Sequence, residues 1–193
     1  MFKELCATLF ILCNPIINGF DFSYDINPRD DFVRGIAECT VVNNAFIPPP
    51  ERVIVAISVA QAILESDWGR SRFAKEANNF YGMIQTDKTE PHIKSLNSDI
   101  ILKVYGNKCE SVADYIELLN TSSAFAEYRD LRLKQVLSDN VDIHEVIKTL
   151  KNYAVDPEYV DKLLFVTLGL FKKYPHIFRS HEISEYHRNN KKT

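Results

Sequence analysis

From Val53 to Leu64 the chain reads VIVAISVAQAIL, and hardly a polar face can be drawn on it. A helix that is apolar all round is a central one that other elements must enclose. About a dozen such residues in a row is long for a strand. Upstream, Pro48, Pro49 and Pro50 cannot sit inside a helix, but one of them suits a first turn. Glu51 then suits the positive end of the helix dipole.

This helix finishes on a carboxylate, Glu65, followed by Ser66, Asp67, Trp68 and Gly69. A helix C-terminus carries about half an elementary negative charge. The apolar helix and Trp68 would also strip water from the carboxylate. Both effects raise its pKa. A carboxylic acid held protonated near neutral pH is a general acid, and glycoside cleavage needs one to protonate the leaving oxygen. The bland alternative is a glutamate pointing into solvent where the helix frays. Downstream, Gly69 permits a positive φ, and Asn78-Asn79 can fix a loop by bonding local backbone. Trp68, Phe80 and Tyr81 are each read either as core rings or as surfaces that stack on sugars, and Gly82 allows close approach of a ligand.

Helical and strand patterns fill the rest. Asp30 or Asp31 can cap a short helix through Cys39, and Ser71 to Ala77 reads as another helix. Ile100, Leu102 and Val104 alternate, so Gln85 to Tyr105 is expected to form a two- or three-stranded antiparallel element, with Pro91 at its edge or in a turn. Ser111 with Asp114 resembles a capping box, as does Asp142 with Glu145. Asp156-Pro157-Glu158 opens a helix with the stripe Tyr159, Leu163, Val166 and Leu170, running out at Tyr174-Pro175. The expected fold is α+β and mostly α, a single domain over residues 31–175. A polar lead-in covers 20–30 and a polar basic tail 176–193. Residues 1–19 read as a signal peptide or an apolar N-terminal segment, too short to span a bilayer.

Net charge is −3, with no basic excess to bind nucleic acid. No nucleotide loop, Ser/His/Asp arrangement or metal-ligand spacing is present, so no metal and no cofactor are expected. His92, His144, His176, His181 and His187 are scattered and read as surface residues. If the leader is removed, Cys39 and Cys109 remain; they read as two buried free thiols, with pairing in an oxidising compartment as the alternative.

The stretch AQAILESDWGRSRFAKEANNFYGM closely resembles the Glu-Ser-x-Trp-Gly and Asn-Asn-x-Phe-Gly motifs of bacterial peptidoglycan N-acetylglucosaminidases, glycoside hydrolase family 73. ILKVYGNKCESVADYIELLNTSSAFAEYRDLR and YAVDPEYVDKL resemble the Bax branch, the latter matching a Tyr-Ala-x-Asp-Pro-x-Tyr segment. The resemblance implies a lysozyme-like, two-lobed domain with the small β-element lining one side of a groove. The substrate would be peptidoglycan glycan strands, cut at the bond after N-acetylglucosamine. Glu65 matches the catalytic acid and Tyr153 the functional tyrosine. Trp68, Asn79, Phe80, Tyr81 and Gly82 would line the substrate. Glu90 is the best match to a second carboxylate, with Asp87 and Asp99 behind it; failing these, the substrate's own acetamido group would serve.

Two departures are visible: Asp67 stands where glycine is usual, and Tyr81 where phenylalanine is usual. The resemblance also implies a monomer in the bacterial envelope, periplasmic or secreted, with no membrane span after processing. A lytic transglycosylase on the same fold and a non-catalytic peptidoglycan-binding scaffold are the competing readings.

Overall fold

The structure, a computed structural model, describes residues 27–182 apart from 97, 139 and 140. The signal-peptide expectation, most of the lead-in and the end of the basic tail lie outside the described residues. Helix α1 spans Pro28–Asn44. Its cap is Asn27, whose side chain accepts the Arg29 N–H, with Pro28 in the first turn; Asp30 and Asp31 sit in that turn as favourable charges rather than as caps. The helix also runs past Cys39, because Phe32, Val33, Ile36, Ala37 and Thr40 keep presenting one face to the interior.

Helix α2, Val55–Ser66, is the central post. Residues Val55 to Ile63 are all buried. It begins later than the prolines suggest, since Pro49–Glu51 form a separate 3-10 turn. Asn44 pins the entry: its Oδ1 accepts the Val53 N–H at 3.0 Å and its Nδ2 donates to the Val53 carbonyl at 2.8 Å. Some of the polar groups inside the core bond one another. Thr40 Oγ1 lies 2.9 Å from Ser58 Oγ, which lies 2.8 Å from the Tyr81 hydroxyl.

Helix α3, Arg72–Ala77, is capped by Ser71. Strands β1 (His92–Lys94) and β2 (Ile101–Lys103) form a two-stranded antiparallel sheet, pairing Ile93 with Leu102. An isolated bridge from Ile84 to Leu102 extends it toward α3. Pro91 immediately precedes β1 and takes no ladder bond within it. Helix α4, Lys108–Thr121, is capped by Asn107 rather than at Ser111. Ser111 is buried inside that helix, where its Oγ accepts the Phe80 N–H at 3.2 Å, and Asp114 holds Lys103 of β2 at 2.8 Å. The capping-box pattern thus marked a tie between lobes.

Helices α5 (Ala126–Ser138), α6 (Ile143–Lys148) and α7 (Tyr159–Lys173) follow. Asp142 caps α6 as its pattern predicts, whereas α7 begins two residues later than expected: Glu158 is its N-cap, Pro157 lies in the turn before it, and the Asp156 side chain accepts the Glu158 N–H there. Beyond α7, Pro175 opens a further helix, α8 (Pro175–Glu182). Phe178 is 1 % exposed and belongs to the core, so packing continues into the segment expected as a polar tail. Proline ends one helix and starts the next because it lacks an N–H that a first turn does not use.

Cys39 and Cys109, expected as free thiols, form a disulfide, with Cα atoms 4.9 Å apart. Helices α1 and α4 pack against each other, and that packing brings together cysteines 70 residues apart in sequence. The loop so closed contains all of α2 and the β-element. Closing a loop this long stabilises a fold by about 4 kcal/mol on loop-entropy grounds. Reduction, or Cys39→Ala, is therefore expected to lower the melting temperature by several degrees in calorimetry. An unchanged melting temperature under reductant would contradict the bridge.

Candidate active site

Glu65 occupies the last turn of α2, and the turn that follows it is unusual. Asp67, Trp68 and Gly69 have φ of 50°, 58° and 74°, three successive left-handed residues. Ser66 secures them. Its hydroxyl donates to the Ala62 carbonyl and accepts the Gly69 N–H at 2.9 Å. Gly69 is required twice over, by its φ and because a Cβ there would stand 2.9 Å from the Phe32 ring. Asp67 takes a position suited to glycine, and aspartate tolerates it better than most residues. It is exposed and ion-paired to Arg70 at 2.6 Å; it neither caps α3, which Ser71 does, nor figures among the causes that shift Glu65.

Burial lifts the Glu65 carboxyl from its ordinary 4.5 to about 6, and a hydrogen bond from the Tyr159 hydroxyl pulls it part of the way back. Gly82, exposed and at φ 68°, lies beside it: a Cβ on Gly82 would stand 3.7 Å from Glu65 Oε2. The acid is thus sheltered on its helix side and approached across a residue with no side chain.

Behind the acid lies a set of tyrosines. Gln61, one turn before Glu65 and fully buried, donates from Nε2 to the Tyr159 hydroxyl at 2.8 Å and accepts from the Tyr115 hydroxyl. Tyr153 packs parallel to Tyr159 with ring centres 5.8 Å apart, and its hydroxyl donates to the Tyr81 carbonyl at 3.0 Å. Tyr153 therefore buttresses the acid's partner and anchors the loop before Gly82. The hydroxyl that draws the Glu65 carboxyl down is that of Tyr159, which the sequence presented only as part of a helical stripe. The signals were its place at the end of the Tyr-Ala-x-Asp-Pro-x-Tyr segment and, for Gln61, a lone amide in an apolar helix.

The other expected ligands are placed differently. Phe80 and Tyr81 are 7 % and 2 % exposed. Phe80 packs on Phe32, and Tyr81 stacks on Tyr115 at 4.1 Å with its hydroxyl on Ser58, so neither ring offers a face to a sugar. Asn79 is buried and brackets the loop: Nδ2 donates to the Met83 and Lys103 carbonyls, and Oδ1 accepts the Met83 N–H. Trp68 is half-buried against Phe32, with the Arg29 guanidinium 4.9 Å above its ring. Of these five, Gly82 alone is exposed beside the acid. Glu90 is exposed in the loop before β1; Asp87 accepts from Thr89 nearby, and Asp99 pairs with Lys94 at 3.1 Å. Among the described residues no group of three or more His, Cys, Asp or Glu could hold a metal, and no helix is long and apolar enough to cross a membrane.

Residues 50–168 match the family model described as mannosyl-glycoprotein endo-beta-N-acetylglucosaminidase. The chain belongs to this glucosaminidase family. It is 32% identical over 124 residues to the exo-glucosaminidase LytG of Bacillus subtilis strain 168, covering 58% of this chain and 42% of that protein. It is 29% identical over 181 residues to an N-acetylmuramoyl-L-alanine amidase domain-containing protein of Staphylococcus aureus, covering 83% of this chain and 28% of that one. The chain thus spans less than half the length of these curated relatives. Among solved structures, the catalytic domain of the Listeria monocytogenes autolysin Auto matches with TM-score 0.57 at 17% identity, covering 93% of this chain and 97% of that one. The glycoside hydrolase domain of Salmonella typhimurium FlgJ matches with TM-score 0.56 at 22% identity, covering 84% and 96%. These likenesses show the fold, and it is the lysozyme-like, two-lobed α+β fold that the motifs implied.

The Glu65 carboxyl is expected to reduce stability at neutral pH. A carboxyl whose folded pKa lies above its unfolded value favours folding only while protonated. That contribution is full below 4.5 and is lost as pH rises through about 6, a difference of about 2 kcal/mol. Glu65→Gln should therefore gain stability over wild type in urea titrations at pH 8 and lose that advantage at pH 4.5. A second expectation concerns Tyr159→Phe. Removing a bond that lowers the acid's pKa moves the alkaline limb of kcat/KM to higher pH. The ratio of kcat/KM at pH 7 to that at pH 5 should rise about fourfold relative to wild type, the effect of one hydrogen bond; an unchanged ratio would mean that Tyr159 does not act on the acid.

Proposed function

We propose that this chain hydrolyses the glycan strand of peptidoglycan at the bond after N-acetylglucosamine, with Glu65 as general acid. One observation carries the reading: a sheltered carboxyl at the end of the buried helix, raised to about 6 by burial, stands beside the exposed Gly82. In this reading the Glu65 proton goes to the glycosidic oxygen as its bond to the anomeric carbon breaks, and the bonding pair leaves with that oxygen. Water then supplies the hydroxyl at the anomeric carbon, and its proton restores Glu65.

Glu90 is our candidate for the second carboxylate, and its exposed loop position makes the substrate's own acetamido oxygen the better nucleophile. Tyr153 assists from behind, by holding the Tyr81 carbonyl and the Tyr159 ring. We place the chain in the Bax branch on the resemblance of ILKVYGNKCESVADYIELLNTSSAFAEYRDLR and YAVDPEYVDKL. Disulfides persist in oxidising compartments, so the Cys39–Cys109 bridge supports export to the periplasm or beyond. We read the protein as a monomer there.

Digestion of purified peptidoglycan by wild type and Glu65→Gln, followed by reduction and mass spectrometry, tests this. Reducible N-acetylglucosamine ends from wild type alone are expected. Anhydro-muramic ends would make the protein a lytic transglycosylase. Equal release by Glu65→Gln would remove Glu65 from the chemistry, and binding without products from either protein would leave a scaffold.

A further inference from the structure

Helix α7 has two apolar sides, and only one of them faces the core. The inner side carries Tyr159, Leu163, Thr167 and Leu170, all buried. The opposite side, where polar residues are expected, carries Phe165 and Leu168, which are 81 % and 43 % exposed. A single exposed apolar residue is ordinary, but two of them three positions apart are neighbours on the helix surface and make one patch. Asp161 stands four residues before Phe165 and Lys172 four residues after Leu168, and both are exposed. At 3.6 residues per turn these side chains fall on one line along the axis, about 17 Å from end to end. Other charges of α7 have partners: Lys162 pairs with Asp156 and Glu158, and Lys173 with Asp30. Asp161 and Lys172 have no ion pair among the described residues. Beside the line stands Gly169, exposed, with open space where a Cβ would be. Glycine is a poor residue for a helix interior, and no contact within this chain uses its missing side chain.

The order along this line is acid, apolar, apolar, base, with spacings of four, three and four. Turned end for end, it sets base against acid and apolar against apolar. Two copies of α7 laid antiparallel, with a two-fold axis midway between Phe165 and Leu168, place Asp161 of each against the partner's Lys172. Phe165 of each then meets the partner's Leu168. Leu164, half-buried at the flank, meets the partner's Gly169, whose missing Cβ lets the helices approach. We propose that the outer face of α7 is a self-association surface on which two copies of this chain pair antiparallel. Two-fold pairs of this kind are the commonest homo-oligomers. A pattern that complements its own reverse fits a second copy, and an unrelated partner has no need of it. The face is small against the roughly 1,600 Å² buried in a standard stable complex, so the pair forms at high concentration and the monomer is the dilute state. Tyr159 lies on the inner side of α7, so each chain keeps its own Glu65 and the exposed Gly82 beside it. The pairing goes beyond the catalytic reading and does not depend on what Glu65 does.

Sedimentation equilibrium of the purified full chain, from low micromolar to near-millimolar concentration, tests this, with thermal melts to confirm that each variant folds. Wild type should rise in mass from one chain toward two. Phe165→Glu, Asp161→Lys and Lys172→Asp should each weaken association about tenfold or more, since each puts a charge against an apolar side chain or like charges against one another. An equimolar mixture of Asp161→Lys and Lys172→Asp chains should pair again, because each then meets opposite charges at both ends of the other. Wild type that stays a single chain at every concentration would overturn the proposal, whatever else covers the face. Association that all three variants leave unchanged would place the contact elsewhere and overturn it too. So would a mixture that pairs no better than its two components alone. Failure of the Glu65 reading appears separately, as retained activity in Glu65→Gln.

Discussion

Everything in this molecule is arranged around the need to enclose one helix. Helix α2 has no face that tolerates water, so α1 and α7 pack along it, and α8 adds a smaller contact. Burial of its aliphatic side chains is worth about 1.5–3 kcal/mol each for the larger residues. The same enclosure produces the chemistry. A helix surrounded on all sides can place a carboxylate at its end only where water is scarce, and scarcity of water lifts that carboxyl to about 6.

The turn after Glu65 is the second constraint. Three left-handed residues in a row are tolerated because Ser66 is bonded on both sides and Gly69 has no Cβ to meet Phe32. The Glu-Ser-x-Trp-Gly motif is thus largely a description of how a buried helix can stop abruptly without losing its last residue to solvent. Asn78 and Asn79 do the equivalent work at the end of α3, tying backbone carbonyls of Tyr105, Met83 and Lys103. The Lys103–Asp114 pair and the Tyr105 hydroxyl on Asp114 then fasten the β-element to α4. Most residues of these motifs are spent on contacts inside the fold around Glu65.

This explains the particular errors of reading side chains one at a time. Phe80 and Tyr81 sit between an exposed glycine and a polar loop, so they look available, yet both rings are in the core. Tyr153 bonds the Tyr81 carbonyl and stacks on Tyr159, six residues on, whose hydroxyl draws the Glu65 carboxyl down. Ser111 and Asp114 have cap spacing, but Asn107 is better placed because its side chain reaches two free N–H groups at the true helix start.

The amino-acid sequence by itself determined the central helix, its acidic end, the small β-element and the family, because each rests on local periodicity or on residues adjacent in the chain. Only the tertiary structure decided the disulfide, the partners of Gln61 and the fate of the aromatic rings. Those depend on contacts between residues far apart in sequence: Cys39 and Cys109 across 70 positions, Gln61 and Tyr159 across 98. A pattern in one stretch of chain records which of its own sides is apolar. It does not record which distant hydroxyl will face it once the helices have packed.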